Sequence, residues 1–303
     1  MASRSHVGDF RPRALPPLRF RCDSHARHVL VCVSDDCARR SQRGGFRSRG
    51  LPASWKATHV GARLGLLPPT AGTGTVGHMI VTFLHGAGKA GASAWPRQAA
   101  ETEPGWVFLD RLPTGDDPEG DAARIVTVLA DAGGGHVVAH SYGAAAALLA
   151  AGLEPGLVRS LALLEPACFD LARGCPAVEE HIATMTPVFA AAADEAVTWR
   201  EFSAMWAVAM GTEVPDLPDT VLEAHVTRLR SLTPPWGTGL AAVKDLPVPT
   251  LVVTGGWSEL YEQTAAALTD YGAQREVVAG SGHRVQDAAV TNGLLRDFWH
   301  AIT

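Results

Sequence analysis

From residue 79 onward the chain repeats one pattern. A short run of β-branched and aromatic residues ends in glycine, proline or a polar residue, and a segment with helical spacing follows. The runs are MIVTFLHG (79–86), WVFLD (106–110), HVVAH (136–140), LALLEP (161–166), VPTLVVTGG (248–256) and REVVAG (275–280). Helical stretches are expected at 122–132, from 144 onward, near 260–268 and near 285–301. Strand–helix alternation of this kind points to a mostly parallel sheet of about six strands with helices on both faces, an α/β fold. In such sheets ligands gather beyond the carboxyl ends of the strands, so those ends are where chemistry is sought. The alternation stops between about 170 and 236, where VEEHIATMTPVFAAAADEAVTWREFSAMWAVAM reads as helix throughout.

Residues 1–78 are of another kind. They carry 13 Lys plus Arg against 4 Asp plus Glu, whereas residues 79–303 carry 13 against 27. The first segment is rich in Arg, Pro, Gly and Ser, lacks a sustained apolar period, and reads as a basic, mostly disordered extension. A transit peptide and a nucleic-acid-binding arm are the functional readings it allows, and neither is favoured. Cys22, Cys32 and Cys37, with His25 or His28, lack the paired short spacings that hold a tetrahedral zinc ion. Because Met79 directly precedes the first convincing strand, it is expected to be the natural start, with the residues before it upstream sequence or a dispensable extension.

Composition bounds the rest. With 47% hydrophobic and 19% charged residues the chain has the makings of a sizeable core. No run approaches the roughly 18 consecutive apolar residues of a membrane helix, and the early apolar run at 29–33 is too short for a signal peptide. Five scattered cysteines do not make a disulfide framework. A cytoplasmic protein with a small-molecule partner, and with neither nucleic acid nor membrane, is expected.

One junction carries chemistry. In VVAHSYGAAAALLAAG (137–152) a strand passes through Ala139-His140-Ser141-Tyr142-Gly143 into an alanine-rich helix. The pattern small-x-Ser-x-Gly lets a strand reverse sharply into a helix, and it pushes the serine hydroxyl out at the apex near the positive end of that helix. A serine that merely caps the helix has the same local look. The surroundings decide.

With HGAG (85–88) after the first strand, AHSYG at the turn and GSGHRVQ (280–286) after the last strand, the chain resembles the α/β-hydrolase superfamily over residues 79 to about 300. The resemblance implies a helical cap at about 170–236, a serine hydrolase working through an acyl-enzyme, Ser141 as nucleophile and His283 as base. It places the oxyanion donors on the backbone N–H groups of Tyr142 and Ala87. His85 and His140 are read as packing and hydrogen-bonding groups. The acid departs from the usual pattern. Most relatives carry an aspartate three residues past a glycine after the strand that corresponds to LVVTGG, but this chain reads Gly255-Gly256-Trp257-Ser258-Glu259. Glu165, at the end of LALLEP, is the favoured acid, as in haloalkane dehalogenases, and Glu259 is the alternative; Glu262 is a more distant candidate on the solvent face of its helix. The leading hairpin of larger members is missing, and alanine stands at 139 where glycine is commoner. Phe189, Trp199, Phe202, Met205, Trp206 and Met210 could line an apolar pocket, favouring a small to medium, partly apolar ester. A lactone, thioester or activated carbon–carbon bond would fit the same machinery, and the competing reading is a non-catalytic ligand sensor. Cys168 and Cys175 are read as reduced structural thiols. No cofactor and no metal are expected, because no phosphate loop or paired-ligand spacing occurs in this part.

Overall fold

The computed structural model describes residues 80–101, 103–111, 118–240 and 245–303. The expectations for segment 1–78, its cysteines and Met79 fall outside the described residues. Six strands form one parallel sheet: Ile80–Leu84 (β1), Trp106–Leu109 (β2), Gly135–His140 (β3), Val158–Leu164 (β4), Thr250–Thr254 (β5) and Gln274–Val277 (β6). Their order is β2-β1-β3-β4-β5-β6. The chain steps from β1 outward to β2, then returns to the other flank of β1 with β3. This reversal opens a crevice at the carboxyl ends of β1 and β3, which lead into His85 and Ser141.

Alternation along the strands divides the core into two layers. Leu84, Val137, Ala139, Leu161, Leu163 and Val252 point to one face, where helices α2 (Pro118–Ala132), α3 (Ala144–Leu153) and α7 (Glu259–Asp270) bury Ile125, Leu129, the alanines of α3 and Leu268. Val81, Phe83, Val138, Ala162, Leu164, Leu251 and Val253 point to the other, against Trp95 just before α1 (Pro96–Glu101) and against Leu295 and Phe298 of α8 (Thr291–Ala301). Helix α3 is apolar almost all round because it is buried nearly all round, and its alanines let it lie close against the sheet beneath the Ser141 turn. The edge strand β6 shows an exposed Gln-Arg-Glu-Val, a charged edge that discourages further pairing.

One element differs from expectation. The closing helix does not run from residue 285: a short 3₁₀ turn at Val285–Asp287 precedes it, and α8 starts at Thr291. The carbonyls a continuous helix would use are taken by side chains, since the Thr291 hydroxyl donates to Val285 O and Gln98 Nε2 donates to Gln286 O at 3.0 Å. Ala288 is extended, and the helix restarts beyond it.

Between β4 and β5 the chain inserts three helices: α4 (Pro176–Ala191), α5 (Trp199–Ala209) and α6 (Asp219–Arg230). Proline opens α4. A reciprocal Thr198–Glu201 capping box opens α5. The three share their own apolar cluster, with Met185, Val188, Phe202, Leu222 and Leu229 buried and Ala87, from the loop after β1, packed against it. Among the described residues, no helix is long and apolar enough to cross a membrane.

Candidate active site

The turn after β3 holds Ser141 with φ +50°, a left-handed conformation that a non-glycine residue adopts only when its surroundings impose it. Two glycines allow this. A Cβ on Gly143 would lie 3.0 Å from the carbonyl oxygens of both Leu84 and His85, and one on Gly86 would lie 3.0 Å from Ser141 Cβ and from the His140 ring. The loops after β1 and β3 therefore press directly against each other, which brings Ala87 beside Ser141. The serine carbonyl accepts the N–H of Ala167 at 3.0 Å, tying the turn to the segment after β4.

His283, from the loop after β6, reaches the serine: its Nε2 lies 3.0 Å from Ser141 Oγ. Its Nδ1 lies 3.3 Å from Glu165 Oε2, and the Glu165 side chain is fully buried. A proton on Nδ1 facing the carboxylate leaves Nε2 free to accept from the serine hydroxyl. Glu165 follows β4 with φ +47° and is held by its own N–H to Val253 O at 2.8 Å. Its carboxylate accepts the N–H of Gly255 at 2.5 Å and the indole N–H of Trp257 at 2.9 Å. The loop after β5 thus supplies donors to an acid from β4 rather than an acid of its own. A side chain at Gly255 is barred, since its Cβ would lie 2.1 Å from Gly282 O in the histidine loop.

Glu259, the alternative acid, does not meet His283. It is exposed in the first turn of α7, and its carboxylate lies 3.5 Å from Gln263 Nε2. Glu262 is not simply solvated: it pairs with Arg275 and accepts the N–H of Gly256 at 3.2 Å. The physical reason is helical geometry, which turns both carboxylates away from the sheet end while Tyr261 turns inward and is buried.

The other histidines support loops. His140 Nε2 donates to the carbonyl oxygen of His283 at 2.8 Å, and its ring lies 4.8 Å from that of His283. Burial pushes its pKa well below the usual range, with the His283 ring adding to the effect, so it holds the histidine loop as a neutral donor. His85 Nδ1 donates to Gly86 O at 2.6 Å while Nε2 accepts the N–H of Arg111 at 3.0 Å, and burial again lowers its pKa.

Residues that sequence reasoning did not single out complete the surroundings. Arg111 pairs with buried Asp121 at 2.5 Å, and its guanidinium lies 4.3 Å from the centre of the Tyr142 ring. It therefore braces both loops that carry Ala87 and Tyr142. The Tyr142 hydroxyl lies 3.1 Å from Thr233 Oγ1. The Tyr261 ring lies 4.7 Å from the His283 ring at a tilt of 35°, and burial raises its pKa, the Glu165 charge adding to the rise and the Ser141 hydroxyl opposing it. The aromatic pair Trp257 and Tyr261, four residues apart straight after Gly255-Gly256, was the signal available in the sequence. Cys168 is fully buried, its thiol pushed up to about 12 by burial, and no disulfide forms among the described residues.

Ser141 borders two compartments. One, of about 60 Å³, is walled by Phe169, Met185, Phe189, Trp206 and Met210 and also bordered by Ala87 and Tyr142. Of the six residues expected to line a pocket, Phe189, Trp206 and Met210 do so, whereas Phe202, which is fully buried, lies in the packing core of the inserted helices. Trp199 and Met205 pack against that same core. The second compartment, of about 370 Å³, is bordered by His283, Lys89, His225 and Arg284.

The profile of the alpha/beta hydrolase family matches residues 83–291. The chain belongs to that family. Solved structures of alpha/beta hydrolases share its fold. The epoxide hydrolase of Bacillus megaterium aligns with TM-score 0.53 at 16% identity, covering 74% of this chain and 94% of its own. MenH from S. aureus aligns with TM-score 0.51 at 15% identity, covering 74% and 94%. A thermophilic esterase from Thermogutta terrifontis aligns with TM-score 0.50 at 15% identity, covering 74% and 90%. No curated protein matches the chain significantly. At these identities the structural likeness speaks for the hydrolase fold alone, and one fold hosts many reactions.

Proposed function

We propose that this alpha/beta hydrolase is a serine hydrolase that cleaves a small to medium, partly apolar ester through an acyl-enzyme. The observation that carries the reading is the continuous chain from Ser141 Oγ through both nitrogens of His283 to the buried Glu165, at 3.0 and 3.3 Å. A serine hydroxyl is a weak nucleophile until an imidazole takes its proton, and an imidazole is a better base when a carboxylate holds its tautomer and offsets its charge.

Each step follows from these atoms. Ser141 Oγ bonds to the ester carbonyl carbon as its proton passes to His283 Nε2, and the carbonyl oxygen becomes an oxyanion between the N–H groups of Ala87 and Tyr142. The carbon–oxygen bond to the alcohol then breaks, and the departing oxygen takes the proton from His283. Water attacks the acyl carbon next, giving one proton to His283, and Ser141 leaves with that proton. The sum is ester plus water to acid plus alcohol, with the inserted helices as a cap over the reaction.

Covalent labelling by a fluorophosphonate tests this directly. One adduct on Ser141, together with phenyl acetate hydrolysis that drops by at least about a thousandfold in S141A, is the expected result. A folded protein that neither labels nor turns over phenyl acetate would be a ligand sensor instead.

A further inference from the structure

The two compartments beside Ser141 differ in size and charge, and the chemistry of the departing oxygen tells them apart. That oxygen must lie within reach of His283 Nε2, which returns the proton. The larger compartment is bordered by His283, and the smaller one is not. Resting on the acyl-enzyme reading, this puts the alcohol side of the ester in the 370 Å³ compartment and the acyl side in the 60 Å³ one. A single water needs about 10–15 Å³, so the acyl side has room for only about four to six water-sized groups, a short chain.

The alcohol side is electrically lopsided. Its charged or chargeable borders beyond His140 and His283 are Lys89, His225 and Arg284, and none of its described lining residues is a carboxylate. Arg284 is held by Asp287 at 2.5 Å. Lys89 is exposed and has no side-chain hydrogen bond or ion pair among the described residues. The same holds for Arg228, which stands three residues past His225 on α6, lines a neighbouring cavity together with Ala87 and Asp110, and adds to the lowering of the His225 pKa that burial causes. Most other described cations are matched: Arg111, Arg173, Arg200, Arg275 and Arg296 by carboxylates, and Arg230 by backbone carbonyls. With 27 acidic residues against 13 basic ones in 79–303, an unmatched cation bordering the same compartment as the serine stands out. The acidic excess does not cancel it, because charges farther than about 8 Å away are largely screened at physiological salt.

We propose that the substrate is a short-chain ester of an alcohol or phenol that carries a carboxylate, with Lys89 holding the carboxylate in the larger compartment. Lys89 acts here as a specificity residue and takes no part in the bond changes.

The full chain is assayed with 4-acetoxybenzoate and its neutral isostere 4-acetoxybenzamide. The amide has the better leaving group, so a preference for the carboxylate cannot come from intrinsic reactivity. Expected is a kcat/KM ratio of roughly twofold to fivefold in favour of 4-acetoxybenzoate, the size an exposed ion pair gives, shrinking at high salt. K89E is expected to lower that ratio by roughly tenfold, and lengthening the acyl group to octanoyl to lower kcat/KM. Equal kcat/KM for the two esters, or a ratio unmoved by K89E, overturns the proposal while leaving the hydrolase reading in place. Calorimetric binding of 4-hydroxybenzoate against 4-hydroxybenzamide reads the subsite without catalysis. If no ester is turned over, a preference for the acid that K89E removes upholds the anion subsite, and its absence sinks both readings.

Discussion

In the sheet, β3 buries all six of its residues, and the serine, carboxylate and imidazole are delivered by the ends of β3, β4 and β6. In the inserted helices, by contrast, Val208 and Val221 stand 79% and 49% exposed, and of the residues that wall the small compartment Phe189, Trp206 and Met210 are only partly buried. The difference teaches how labour is divided in this fold. On the proposed acyl-enzyme reading, the reacting groups need positions good to a fraction of an ångström, and they stand at the ends of strands or in the loops that follow them. On the same reading, the groups that shape the small compartment come largely from the inserted helices, which pack on a cluster of their own, with Ala87 of the loop after β1 against it.

The largest effect that sharpens this contrast is expected at Glu165. E165Q keeps the shape but sets an amide against donors it cannot all satisfy, so turnover of phenyl acetate should fall by about a thousandfold or more, whereas E259Q stays close to wild type. Comparable losses in both variants would break the assignment of the acid to β4. Next comes F202A, which empties the core of the inserted helices. A loss of about 3–5 kcal/mol is expected in denaturant unfolding, and if the helices fold as a separate layer, amide exchange in β3 and β4 stays protected while α4 to α6 open.

A pH experiment separates the layers further. Burial lowers His136, in the sheet, from 6.5 to about 4, with Arg159 adding to it. Between those values the unfolded chain binds a proton that the folded chain refuses, so stability falls as pH drops through that window and is regained above it. The full effect is at most about 3 kcal/mol. H136N should flatten the decline of the urea midpoint between pH 7 and 5, and an unchanged slope would place the acid sensitivity elsewhere. The smallest expected effect is W206A, at the wall shared by both compartments. Roughly threefold to tenfold better relative kcat/KM for longer acyl chains is expected, with little change in stability.

Much of this was legible in the sequence for a local reason. Strand runs, the small-x-Ser-x-Gly turn and the glycines around His283 are short-range patterns, and each works through backbone sterics that neighbouring residues impose. Phe202 shows where legibility stops: its type and spacing match a pocket residue, yet it is buried in the core because α4 and α6 close over it. The break before α8 was equally hidden, since Gln98, almost two hundred residues away, captures one of the carbonyls a helix would need.

By itself the sequence determined the layered fold, the serine at a strand-to-helix apex and the order of loops at the sheet's carboxyl edge, because periodicity and turn chemistry act over a few residues. Only the tertiary structure decided which carboxylate faces His283, that the loop after β5 offers hydrogen-bond donors in place of an acid, and that Lys89, unmatched among the described residues, borders the same compartment as the serine. Those outcomes depend on β4 lying next to β5 and on α7 turning Glu259 outward, and such neighbours are fixed when the sheet assembles, by contacts between residues far apart along the chain.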